Sequence, residues 1–157
     1  MKPRAECQIC ERTQAIDADG TLTNHGYKRP GCGWIQGNCV GHGHKPYPET
    51  DALEKYVGVL NDHVARCELA IATLPKINER VYRVKVGFGS KRREEVFTVN
   101  RGDADRFDFE RGRTHVPSFE WLEGVELRNL ESEISNAKSE LRRIEERIAK
   151  AKGMVAA

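Results

Sequence analysis

The sequence is short of apolar and aromatic side chains. Hydrophobic residues make up 38% and aromatics 7% of the 157 residues, while charged residues make up 32%, above the usual quarter. A large core is excluded, so something besides apolar burial must order part of the chain. There is no apolar run of about 18 residues, which excludes a membrane-spanning helix. Met1-Lys2-Pro3-Arg4 leads to Cys7 and Cys10 without the apolar stretch of a signal peptide. The expectation is a cytoplasmic protein with no membrane partner. An excess of one charge is lacking too: 26 basic against 24 acidic side chains leave a net +2, which excludes a polycation and an acidic mimic of DNA.

Catalytic signatures are also missing. Gly87-Phe88-Gly89-Ser90-Lys91 has neither the spacing nor the following helix of a phosphate loop. No Asp-His pair followed by the spaced Asn and His of an HNH-type nuclease occurs. His42-Gly43-His44 lacks the carboxylate partner and rigid element that metal hydrolysis needs. The chain is expected not to be an enzyme, with a metal-dependent nuclease as a remote alternative.

What the sequence does have is cysteine in one place. Four of its five cysteines fall within the first 39 residues, and Cys7-Gln8-Ile9-Cys10 has the knuckle spacing in which a tight turn aims two thiolates at one tetrahedral ion. Without a signal peptide, such spacing favours metal over disulfides. Residues 1–49 are rich in Gly, Pro, Cys and His and poor in periodic apolar residues, so this zinc-binding module needs its ion to fold. Spacing alone leaves Cys32, Cys39, His25, His42 and His44 as candidates for the second ligand pair.

The run Cys7-Gln8-Ile9-Cys10, His25-Gly26-Tyr27-Lys28-Arg29-Pro30-Gly31, Gly37-Asn38-Cys39 and Pro46-Tyr47 resembles a group of small zinc-finger-like proteins of phages, plasmids and bacteria. The resemblance covers residues 7–49 only. It implies structural Zn2+ held by Cys7, Cys10, His25 and Cys39, with Cys32 as the reserve ligand.

After Thr50 the pattern changes. Leu53, Val57, Leu60, Val64, Cys67, Ile71 and Leu74 recur at spacings of four and three, predicting a first long helix over 50–75. Leu127, Leu130, Ile134, Ala137, Leu141, Ile144, Ile148 and Ala151 do the same within 118–157. Between them, in 76–117, Val81–Phe88 and Glu95–Val99 alternate apolar and polar residues, with a shorter run at Arg106–Glu110. The expected fold is α+β: an N-terminal zinc knuckle, then a long antiparallel coiled-coil-like helical hairpin with a β-hairpin inserted between its helices. A second helix of about 50 Å would overhang a first of about 36 Å. The overhang needs a partner: the Cys-rich module, a target, or a second copy in a homodimer.

The charge is unevenly placed. Residues 80–113 hold ten Lys or Arg against six acids. Tyr82, Arg83, Lys85, Lys91, Arg92, Arg93 and Phe107 are therefore the candidate partner-binding residues. Interspersed Glu94, Glu95, Asp103, Asp105, Asp108 and Glu110 suit a mixed-charge protein surface. The expectation is a zinc-stabilised, phage-type accessory protein that binds and modulates or inhibits a host protein or complex of the defence or transcription machinery. The alternative is a sequence-tolerant DNA- or RNA-binding protein using the basic hairpin.

Overall fold

The computed structural model describes residues 2–28, 37–86, 92–108 and 114–155. Its elements, in chain order, are β1 (Arg4–Glu6), β2 (Thr13–Ala15), α1 (Asp51–Thr73), a 3-10 turn (Leu74–Lys76), β3 (Glu79–Val86), β4 (Arg93–Asn100), β5 (Arg106–Asp108), β6 (Thr114–Val116) and α2 (Phe119–Val155). The strands form three separate two-stranded antiparallel sheets, β1-β2, β3-β4 and β5-β6. No helix among the described residues is long and apolar enough to cross a membrane.

The chain divides into two compact units, residues 1–64 with 136–157, and residues 65–135. Both helices contribute to both units. In the first, Cys7, Ile9, Cys10, Leu22 and Cys39 share one core with Ala52 and Leu53 of α1 and Ile144 of α2. The C-terminal part of α2 is thus packed against the Cys-rich segment.

The second unit is built around β3-β4. Alternation along β3 sends Tyr82 and Val84 to the covered face, and β4 adds Phe97 and Val99. A two-stranded sheet cannot hide such a face by itself. Val116 of β6 and Phe119 and Leu122 of α2 cover it. Phe119 is fully buried, with the guanidinium carbons of Arg80 and Arg101 at 5.1 and 4.5 Å from its ring centroid. Arg101 also donates to the carbonyl oxygens of Ile77 (2.9 Å) and Leu74 (3.4 Å) and to Glu123 (2.9 Å).

These findings correct the expected architecture of one long helical hairpin with a single inserted β-hairpin. Two of the three sheets, β3-β4 and β5-β6, lie between the helices, and with the helical residues of 65–135 they make a unit with its own core. The heptad pattern was an incomplete guide because it tells which side chains turn inward without telling what they meet. Only Ala137, Ile144 and Ala151 of the α2 seam are buried, one every seven residues, while Leu127, Leu130, Ile134, Leu141 and Ile148 are half-buried. β6 escaped notice because Thr114-His115-Val116 is too short to show a period.

Replacing Phe119 with Ala removes the ring between two cations and leaves a cavity. The second unit should lose about 3–5 kcal/mol, read as faster amide exchange across β3 and β4 with protection in the first unit retained.

Candidate metal centre

The knuckle is the turn between β1 and β2. The Cys7 amide donates to the Arg12 carbonyl (3.0 Å) and the Glu11 amide to the Cys7 carbonyl (3.2 Å), with Glu11 in the left-handed region at φ 60°. The other half of the cluster comes from a second backbone pairing. The Cys39 amide donates to the His25 carbonyl (2.9 Å) and the Tyr27 amide to the Gly37 carbonyl (2.8 Å), setting His25 and Cys39 side by side. Gly41 then passes so close that a Cβ there would stand 2.6 Å from Cys7 Sγ and 3.6 Å from Cys39 Sγ. Only glycine fits at that approach.

The result is a four-donor cluster. One ligand atom each from Cys7, Cys10, His25 and Cys39 lies within 4.8 Å of all the others, and Cys7 Sγ is 3.7 Å from Cys39 Sγ. All four residues are buried, and the cysteines are free thiols. His25 Nδ1 donates to the Thr23 carbonyl at 2.8 Å, which leaves Nε2 as a lone pair; this atom is buried with no hydrogen-bond partner. That is the tautomer and orientation of a metal-ligating imidazole. The thiols by themselves are in conflict. Hydrogen bonds from Cys39 and Cys7 hold Cys10 far below the ordinary thiol range, while the bond to Cys10, with burial, holds Cys39 and Cys7 above it. A cation resolves the conflict by replacing the remaining protons. The cluster therefore suits a metal ion, and the donor set is the one implied by the resemblance. The reserve ligand Cys32 lies outside the described residues.

Residues that sequence reasoning missed tie this cluster to the helices. Gln8, between the knuckle cysteines, is fully buried. Its Nε2 donates to the Lys45 carbonyl (2.6 Å) and Asp51 Oδ1 (2.7 Å), and its Oε1 accepts from the amides of Ala52 (2.9 Å) and Leu53 (3.3 Å). Those two amides belong to the first turn of α1, which has no donors' partners within the helix. From the other side, Arg147 Nε donates to the Gln8 carbonyl (2.8 Å) and Arg143 Nη2 to the Ile9 carbonyl (3.0 Å). Arg143 also pairs with Glu11 and, through Nε (3.1 Å) and Nη2 (2.7 Å), with Glu140; that carboxylate accepts from the Tyr27 hydroxyl at 3.0 Å. Arg143 and Arg147 are one helical turn apart and bracket Ile144, a spacing that marks one face. A glutamine between two buried cysteines was a second legible signal.

The candidate partner-binding residues do not gather into one patch. Arg83 and Lys85 stand on the exposed face of β3, opposite Val96 and Glu94, and no described residue forms an ion pair with either. Tyr82 points to the covered face and packs on the second core, so its ring serves the fold. Arg93 pairs with Glu95 at 2.6 Å. Arg92 is exposed just before β4. Phe107 is 60% exposed on β5, its ring 5.4 Å from that of His115, and Lys91 lies outside the described residues. Comparison with protein-family models, with curated proteins and with solved structures finds no match.

Two variants separate the ligands from their supports. Gly41→Ala should displace Cys7 Sγ and weaken cobalt binding, seen as loss of the sulfur-to-cobalt charge-transfer band. Gln8→Ala leaves two helix amides and a carbonyl unpaired, and should cost about 1–3 kcal/mol in chemical denaturation of the metal-loaded protein without changing metal stoichiometry.

Proposed function

We propose that this chain is a non-catalytic binding protein whose Cys7, Cys10, His25 and Cys39 hold a structural Zn2+ ion, and whose β3-β4 hairpin meets a partner protein. The observation that carries the structural role is closure: four protein donors, all buried, converge on one point. Structural zinc sites have four protein ligands, whereas catalytic ones keep a position open. Zinc is favoured by the three-sulfur, one-nitrogen donor set. When bound, the ion would supply the cross-link that a glycine-rich segment without its own apolar core requires. Cys7 and Cys10 anchor the knuckle, Gln8 passes its position to α1, and Arg143 and Arg147 pass it to α2.

The outer face of β3-β4 suits a protein partner. Val81 (54% exposed) lies across from Thr98 and Val96 (44% exposed) from Arg83, with the Lys85 and Glu94 pair beyond them. An apolar centre flanked by both charges has the make-up of a protein contact. Part of the basic charge of 80–113 is spent inside the unit: Arg80 pairs with Glu126, Arg101 with Glu123, Arg106 with Asp103 at 3.5 Å. This counts against a phosphate-tracking surface. A host protein is the partner class expected of a phage-type accessory protein.

Metal analysis should find one zinc per chain, lost in Cys7→Ser and His25→Ala; unchanged stoichiometry in Cys7→Ser would sink the assignment. In a pull-down with the tagged, zinc-loaded protein, run with and without nuclease, a discrete protein should survive nuclease and be lost from a Val81→Glu/Val96→Glu variant. Bulk nucleic acid that vanishes with nuclease or moderate salt, leaving no protein, would overturn the protein-partner reading.

A further inference from the structure

His42 and His44, on either side of Gly43, belong to neither the metal cluster nor the hairpin surface. Both line one open surface hollow of about 220 Å³ in the first unit, beside the exposed Val40 and Val59 and the half-buried Tyr56; His42 itself is exposed and His44 half-buried. Gly43 takes a positive φ of 71°, and the turn it allows lets residues two apart face the same hollow.

The two imidazoles are held in the same way. His42 Nδ1 donates to the Cys39 carbonyl at 2.7 Å, and His44 Nδ1 donates to the Asp51 carboxylate. In each ring the Nδ1 proton is taken, so in the neutral ring Nε2 carries a lone pair. A histidine whose Nδ1 proton is tied to a carbonyl or carboxylate is the standard outer support of a metal-ligating imidazole. The sequence shows no carboxylate beside these histidines; the fold supplies Asp51, seven residues on. Asp51 is itself oriented by Gln8 Nε2 at 2.7 Å. Lys55 also lines the hollow, and the residue is exposed.

We propose that His42 and His44 form a second metal site, in which their Nε2 atoms bind a late first-row divalent ion such as Zn2+, Co2+ or Ni2+. Imidazole suits these ions. Two protein donors leave the remaining positions to water or to a donor side chain of a partner, so this site, unlike the closed cluster, has open coordination. The site stands on its own residues and does not depend on the hairpin reading.

The test is equilibrium dialysis of the zinc-loaded protein against Co2+, with zinc and cobalt counted per chain and imidazole resonances followed by NMR. The expected result is one cobalt retained beside one zinc, no sulfur-to-cobalt charge-transfer band, and selective broadening of the His42 and His44 signals. His42→Ala and His44→Ala should each abolish cobalt retention with zinc unchanged. Asp51→Asn preserves shape but presents an amide donor to His44 Nδ1, which favours the tautomer with a proton on Nε2; cobalt affinity should fall about 10- to 100-fold. No cobalt retained by the zinc-loaded protein, or undiminished retention by the double alanine variant, overturns the proposal. Failure of the four-donor site is separately visible, because charge transfer from sulfur reports only the cysteines and the histidine variants report only His42 and His44.

Discussion

A side-chain amide can donate two hydrogen bonds and accept two, and Gln8 makes all four while fully buried. It sits inside the knuckle, between two thiols of the four-donor cluster, and its oxygen receives two free amides of the first turn of α1. Its nitrogen holds the Lys45 carbonyl and Asp51, where the loop from the module enters that helix. An amide in this position transmits geometry. The turn that aims Cys7 and Cys10 also determines where α1 begins, and a displaced knuckle would leave buried donors and acceptors unpaired on both sides.

The same economy runs through the first unit, which has little apolar surface to work with. Arg147 and Arg143 reach from α2 to the knuckle carbonyls, and Arg143 joins the buried Glu140 and the half-buried Tyr27 to the exposed Glu11 in one network. Removing Arg143 would leave the buried Glu140 carboxylate without its cation, which costs more than losing a surface ion pair. Polar cross-links and a four-donor cluster suited to a metal ion stand here where a larger core would stand in a more apolar chain. Asp51 extends the arrangement outward, since the carboxylate that Gln8 orients is the one that orients His44.

The second unit solves a different problem with the same kinds of side chain. A two-stranded sheet has one face to hide, and Phe119 lies at the centre of its cover, between two guanidiniums that are themselves paired with Glu126 and Glu123. Charge that reads in the sequence as a basic patch is thus partly internal. The outer face of β3-β4, with Val81, Val96, Arg83, Lys85 and Glu94, keeps both apolar and charged groups exposed.

By itself the sequence determined the local features. Knuckle spacing named Cys7 and Cys10, the heptad periods located both helices, and period-two alternation located β3 and β4, because each of these signals is carried by neighbours along the chain. Motif likeness brought His25 and Cys39 forward. Only the tertiary structure decided that the segment between the helices has its own core, that Arg80 and Arg101 are consumed around Phe119, and that Asp51 meets His44. The physical reason is range. Periodicity reports which way a side chain turns relative to its own element, but Gln8 meeting α1, Arg143 meeting Ile9 and Gly41 meeting Cys7 join residues 34 to 134 positions apart, and no local pattern records such a meeting.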